Sequence, residues 1–437
     1  MEKDQSKRAA AAAFMGTTIE FYDFYVYATA AALVLGHVFF PTTDPVTGTL
    51  AAFATFAVGF IARPLAGLIF GHLGDKLGRK NMLLFTMILM GIATTGIGLI
   101  PSYASIGIWA PILLIVLRFL QGISVGGEWG GAVLMASEHA PSHKKTFFAS
   151  FAQLGSPAGL ILCLLVFKAV TSLDEADFLS WGWRIPFLLS FVLMAVGFII
   201  RFGVKESPEF AQAKAQAETV KYPLKNLFKY YWPHVIFAGL AITIGSAGFF
   251  FTNTFMITYV TQYLGIERQT ILSALFWVTV LQFLTMPLFA LWAEKIGAAR
   301  FLVGIAVVCL IVPYPMFMLV ETKNILLITL GITLAVVSLS ALYAVVAGFM
   351  ANAFPTEVRY SGISVSYQFI AALAGGTTPI IGTLLAKNYA GEWLPLAYLF
   401  TFLSAMSLVG ILGVNYLQRK NKVAENTAAL SNEEITQ

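Results

Sequence analysis

Five ionisable side chains stand inside long apolar stretches of this 437-residue chain: Glu20, Asp23, Arg63, Arg118 and Glu128. A charged group at the centre of a bilayer costs roughly 2.5 to 3.5 kcal/mol on insertion scales, so it faces an interior, finds a partner or water, and marks a place where ions or substrates are handled. Glu20, Asp23 and Tyr27 fall at i, i+3 and i+7, and Arg118, Gln121, Val125 and Glu128 at i, i+3, i+7 and i+10, which puts each set on one helix face. Glu20 lies about 12 residues, or ~18 Å, into its stretch, near mid-membrane. Exclusion of water favours the neutral form of a carboxyl and a nearby guanidinium favours the charged form, so alternating exposure would let Asp23 or Glu20 load and unload a proton. The alternative for either acid is a fixed ion pair. Arg118 can clasp a substrate carboxylate with its planar fork, pair with Asp23 or Glu20 until protonation releases it, or form a structural pair with Glu128. Arg63 stands beside Pro64, so it reads equally as a coupling group and as a donor that satisfies a local helix break.

The elements that must hold these groups are membrane helices. Hydrophobic residues make up 58% of the chain and charged residues 11%, against about 25% charged in a soluble domain, and the mean hydropathy is +0.79. Apolar runs of about 20 residues recur twelve times, the first near 9–33 and the last near 394–416, each long enough to cross a hydrocarbon core about 30 Å thick. The polar, basic start from Met1 to Arg8 has no small-residue cleavage site after its apolar run, so the first run reads as a retained helix. Of 27 basic residues, five lie at outer edges (Lys168, Arg184, Arg268, Lys323, Lys387), Arg63 and Arg118 lie within spans, and the other 20 gather on the inner side if both termini are cytoplasmic. The positive-inside rule selects that orientation. The net charge of +5 is then a signature of membrane topology, with no implication of nucleic acid.

The chain also divides in two. A polar, Ala/Gln/Lys/Glu-rich stretch near 204–232 separates an N-terminal six-helix bundle, 1–203, from a C-terminal one, 233–417, with a disordered or surface-lying tail at 418–437. The loop from Gly71 to Lys80 aligns, 219 residues on, with Ala290 to Ala299: Asp75 meets Glu294, Lys76 meets Lys295, and Gly78 meets Gly297. Glu138 to Lys145 aligns with Asn352 to Arg359 at an offset of 214. Two matches at nearly one offset argue for duplicated halves related by an axis along the membrane normal. Basic Arg79 and Lys80 have become Ala298 and Ala299 in the second copy, so the two loops should act as unequal gates.

At Gly71 to Lys80 (Gly-His-Leu-Gly-Asp-Lys-Leu-Gly-Arg-Lys) the chain resembles the signature loop of the major facilitator superfamily. Glu20–Phe24, Arg63–Leu65, Arg118–Gly122, Gly126–Gly131, Trp181–Phe187 and Phe354–Gly362 resemble its metabolite:proton symporter family. The resemblance implies an all-α integral membrane protein with both termini cytoplasmic. It further implies a proton-coupled symporter in the cytoplasmic (inner) membrane of a bacterium, importing a small organic acid anion by alternating access. The N-terminal half is most similar to members that carry shikimate; others carry citrate, 2-oxoglutarate, aromatic acids, proline or betaine. Proton symport of proline- or betaine-type solutes is the alternative, and drug:proton antiport a more distant one.

Within that reading, Asp23 and Glu20 are the proton-coupling candidates. Arg118, Gln121, Glu128, Tyr27, Arg63, Tyr343, Tyr367 and Gln368 are the substrate or coupling candidates, and Gly71, Asp75, Gly78, Arg79, Lys80, Glu138, Glu294 and Arg359 the cytoplasmic gate. Asp75 is expected against an opposing helix N-terminus or a basic side chain. The C-terminal half has no Asp, Glu, Lys or Arg within its spans, so Tyr343, Tyr367 and Gln368 offer it neutral hydrogen bonds and ring faces. Gly122, Gly126 and Gly130, four apart, read as close helix packing. The loop lacks a phosphate-binding Gly-Lys-Ser/Thr ending, and Cys163, Cys309, His72 and His139 have no ligand-spaced partners, so neither nucleotide hydrolysis, nor a metal, nor a cofactor is expected. The proton gradient is the driving force, and the expected partners are the bilayer, protons and the anion, with a monomer as the expected state.

Overall fold

Lipid offers the backbone no hydrogen bonds, so apolar stretches of this length satisfy themselves as helices. The computed structural model describes residues 2–41, 45–203 and 223–436, and these contain helices and turns with no strand among them. The long helices are α1 (Glu2–Ala30), α2 (Pro45–Leu77), α3 (Arg79–Leu99), α4 (Trp109–Glu138), α5 (Lys145–Val170), α6 (Ile185–Phe202), α7 (Trp232–Phe250), α8 (Arg268–Ile296), α9 (Ala298–Ile311, resumed by Pro313–Val320), α10 (Ile325–Ala351), α11 (Arg359–Ile370, resumed by Thr378–Asn388) and α12 (Leu394–Thr436). Among the described residues, eleven helical segments are long and apolar enough to cross a membrane, and they match the second to twelfth expected spans. The first expected span is α1, which starts at Glu2 rather than near residue 9 and is made less apolar by its charged first turns together with Glu20 and Asp23.

Two expectations change. Pro64 does not break its helix: α2 runs through it, as α5 and α8 run through Pro157 and Pro287. In the tail, α12 continues to Thr436 through an Ala-, Glu- and Lys-containing sequence with good helix propensity, which leaves the surface-lying alternative standing. Of the expected linker, 204–222 lie outside the described residues, and Pro223–Tyr230 forms a short amphipathic helix packed on α2 and α11.

The sequence repeat has a structural counterpart. Gly78 (φ 103°) joins α2 to α3 and Gly297 (φ 92°) joins α8 to α9, both in a conformation that a side chain would strain. The second repeat pair forms matching 3₁₀ turns, Ser142–Lys144 before α5 and Thr356–Val358 before α11. Helices α1 to α6 pack chiefly among themselves, as do α7 to α12, and the two sets meet along α2 with α11 and α5 with α8. Gly126 permits the tight α2–α4 crossing, since a Cβ there would stand 2.8 Å from the Arg63 carbonyl. Large apolar side chains such as Ile61, Trp277, Leu288 and Phe402 face outward, as lipid contact requires. Short π turns interrupt the helical line at Ala31–Leu35, Phe251–Phe255 and Ala371–Gly375, after α1, after α7 and within α11, a feature common where helices surround a working site.

Candidate functional site

A small cavity lies where the two helix sets meet. Glu20, Phe21 and Phe24 of α1, Arg63 of α2 and Ser156 of α5 line one side, and Gly245, Ser246, Phe249 and Phe250 of α7, Tyr343 of α10 and Tyr367 of α11 the other. At about 20 Å³ it has room for about one water. Phe24, Phe60 and Phe250 form an edge-on cluster with centroids 5.4 to 5.6 Å apart, and the Arg63 guanidinium lies 4.2 Å from the Phe60 ring and 4.9 Å from Phe24. Arg63 and Glu20 thus face one space from neighbouring helices. Among the described residues they form no ion pair, and Nε of Arg63 and Oε2 of Glu20 are buried without a hydrogen-bond partner. Fixed cations and unpaired acceptors of this kind are set to meet a polar ligand. The ring cluster was not anticipated from sequence; the run Phe249-Phe250-Phe251 beside small Gly245 and Ser246 is the signal that points to it.

The remaining candidates divide by helix face. Asp23, one turn beyond Glu20, faces α3 and α6: Ser190 donates to its Oδ1, Thr94 adjoins the same carboxyl, and Oδ2 has no partner. Tyr27 bonds Thr55 and lies under the Arg118 guanidinium at 3.8 Å. Arg118 donates to Gln121 Oε1 at 2.7 Å, and Gln121 Nε2 donates to Thr94 Oγ1 at 2.6 Å. A chain from Arg118 through neutral Gln121 and Thr94 therefore ends beside Asp23, with Thr94 Oγ1 donating to the Met90 carbonyl at 2.9 Å, in place of the direct Arg118–carboxyl pair considered from sequence.

Arg118 also does not pair with Glu128. The partner of Glu128 is Arg201 of α6, expected at the inner membrane edge and found only 4% exposed. The guanidinium of Arg201 also donates to the Leu83 carbonyl at 3.0 Å, and Thr86 Oγ1 donates to the second oxygen of Glu128 at 3.0 Å. Gly16 of α1 leaves the space, since a Cβ there would overlap the Arg201 guanidinium. Neither Arg118 nor Glu128 lines the cavity, because one helix face of α4 looks into its own bundle. Tyr343 and Tyr367 do line it, their hydroxyls 3.4 Å apart. Gln368 ties the halves, donating to the Val125 carbonyl at 3.2 Å and the Gly126 carbonyl at 3.4 Å.

On the face carrying Gly78 and Gly297 the gate candidates meet across the halves. Asp75, 5% exposed, accepts from Ser361 N (2.9 Å), Tyr360 N (3.3 Å) and Ser361 Oγ (2.6 Å), so it caps α11. A carboxylate at a helix N-terminus satisfies orphan amides and complements the helix dipole. Gly71 lets α2 come close enough for this, with a Cβ there only 2.9 Å from Ser361 Cα. Glu294 mirrors the contact by accepting from Phe147 N at 2.9 Å at the start of α5, and Glu138 pairs with Arg359 at 3.1 Å. Lys80 lies elsewhere: it donates to the Phe202 carbonyl at 2.8 Å, capping α6 within its own half. The side chain of Arg79 lies outside the described residues.

Two helical sets enclosing a charged cavity, closed on one face by acids of each set capping helices of the other, define a membrane carrier. A family model described as sugar (and other) transporter matches residues 9–229. The shikimate transporter of Escherichia coli (strain K12) is 40% identical over 400 residues, 89% of this chain and 90% of that protein. The proline/betaine transporter of the same organism is 33% identical over 427 residues, 95% of this chain and 84% of that one. A solved major facilitator superfamily proton:xylose symporter, bound to 6-bromo-6-deoxy-D-glucose, superposes with a TM-score of 0.74 at 18% identity over 96% of both chains. The chain belongs to the sugar (and other) transporter family, and it shares its fold with the solved xylose symporter. It is a multi-pass membrane transporter.

Proposed function

We propose that the protein is a proton-coupled symporter that imports a small organic acid anion of the shikimate type. The carrying observation is that Arg63 and Glu20 face one cavity with Tyr343 and Tyr367 across from them. In this reading 1–203 and 233–417 are two bundles joined by 204–232, the termini are cytoplasmic, and the bundles rock about the cavity. Arg63 receives the substrate carboxylate through its guanidinium fork, while serine and tyrosine hydroxyls suit substrate hydroxyls. Glu20 and Asp23 take up the proton. Asp23 keeps one oxygen without a donor and lies beside the Thr94–Gln121 pair that holds Arg118, so a change in its charge would act on that arginine across a short distance. The 40% identity to the shikimate transporter supports this substrate class.

Counterflow in proteoliposomes with labelled shikimate, challenged by citrate, 2-oxoglutarate, aromatic acids, proline and betaine, tests the reading. Competition by carboxylates is the expected result; competition by proline and betaine alone would transfer the assignment to compatible solutes, the class that the proline/betaine transporter brings into view. Asp23→Asn should reduce pH-gradient-driven accumulation to background while leaving counterflow measurable. Full accumulation by this variant would remove Asp23 from the coupling step.

A further inference from the structure

Beside the cavity, four residues from both halves close a circuit in which Trp129 and Gln153 join its two lining tyrosines. The Trp129 indole of α4 stacks on the Tyr367 ring of α11, with centroids 3.9 Å apart and planes 13° from parallel. Its Nε1 donates to Gln153 Oε1 of α5 at 2.7 Å, and Gln153 Nε2 donates to the Tyr343 carbonyl of α10 at 2.9 Å. The Tyr343 and Tyr367 hydroxyls complete the ring. Trp129 and Gln153 are fully buried. Gln153 lies one turn from cavity-lining Ser156, and six residues, ~9 Å along α5, from the Phe147 amide that Glu294 holds. Tyr367 likewise lies six residues, ~9 Å, from Ser361, where Asp75 caps α11. The circuit therefore joins the cavity, which Tyr343 and Tyr367 line, to the helices that carry the capping contacts.

We propose that Trp129 and Gln153 form the floor of the substrate cavity and an inner gate, in which Trp129 is a positioning residue for Tyr367 and the stack must part before a substrate can leave past α4 and α11. The proposal rests on the transport reading, and it specifies which contacts separate. Trp129 joins both cavity tyrosines, one through its ring and one through Gln153. When the halves part, the stack is lost and both polar groups hydrate, so the circuit favours the closed state without trapping it.

Ser364 supplies a reporter. It is buried on α11, its Oγ has no hydrogen-bond partner, and it abuts Gly130 of α4, where a Cβ would come within 2.6 Å of that oxygen. Cys163 and Cys309 are buried, so a Ser364→Cys protein has a quiet background for thiol labelling. In proteoliposomes, Trp129→Leu in this protein should raise the maleimide labelling rate about 3- to 10-fold, the range an aromatic pair of this kind spans. Trp129→Phe, which can still stack but cannot donate to Gln153, should raise it less, and Gln153→Leu should resemble Trp129→Phe. In transport, Trp129→Leu should change the maximal rate more than the external KM. An unchanged labelling rate in Trp129→Leu, or in both milder variants should that protein not fold, would overturn the proposal. Labelling needs no substrate, so its outcome is separate from failure of the shikimate-type assignment in counterflow.

Discussion

Arg201→Met is expected to destabilise the protein by about 3 to 5 kcal/mol, the usual cost of removing one partner from a buried ion pair. Glu128 would keep its bond from Thr86 but lose the guanidinium on its other oxygen, at a site 3% exposed. The cavity beside Arg201 and Lys80, at about 10 Å³, leaves little room for a compensating water. Glu128→Leu with Arg201→Met removes both charges together, and an apolar replacement of a whole buried pair is often neutral. The double variant should therefore recover most of the thermal midpoint lost by Arg201→Met in detergent solution. It should also retain transport, because Glu128 does not line the cavity. A double variant no more stable than Arg201→Met would show that the surrounding helices need the charges themselves.

This pair also shows where sequence reading stops. Spacing placed Arg118 and Glu128 on one face of α4, which is correct, but a face does not name its partner. Arg201 comes from the far end of α6 through a gap that Gly16 on α1 provides, and nothing local to residue 201 signals this. The contacts of the duplicated loop were more legible. Asp75 and Glu294 sit in a duplicated loop, and both cap a helix of the opposite half, because a duplicated sequence with an acid at the same position carries its interaction partner in duplicate. The cavity was half legible: charge made Glu20 and Arg63 conspicuous, whereas Phe60, Phe249, Phe250 and Trp129 are lost in a chain with 37 phenylalanines and 8 tryptophans. Apolar residues acquire meaning only when packing selects which few of them surround a polar group.

The second large effect concerns the two loop acids proposed as gates, whose contacts are unequal. Asp75 is buried and takes three donors at α11, while Glu294 is only partly buried and serves the α5 N-terminus mainly through Phe147. Each hydrogen bond to a charged group contributes about 1.5 to 3 kcal/mol in a closed site. When the halves separate, water replaces these donors, so the net preference for closure is a fraction of that sum, of order 2 to 3 kcal/mol. Asp75→Ala should then move the closed-to-open ratio by about 30- to 150-fold. Asp75→Asn, which keeps an acceptor but loses the charge, should fall between, and Glu294→Ala should have the smaller effect of the two loop acids. The Ser364→Cys labelling rate reads this shift directly. Along α2, Asp75 stands 12 residues, ~18 Å, from Arg63, so intrinsic substrate affinity should change little. The maximal transport rate should fall because a carrier biased open on one face returns slowly. A large loss of affinity with unchanged Ser364→Cys labelling would place Asp75 in substrate binding and remove it from the gate.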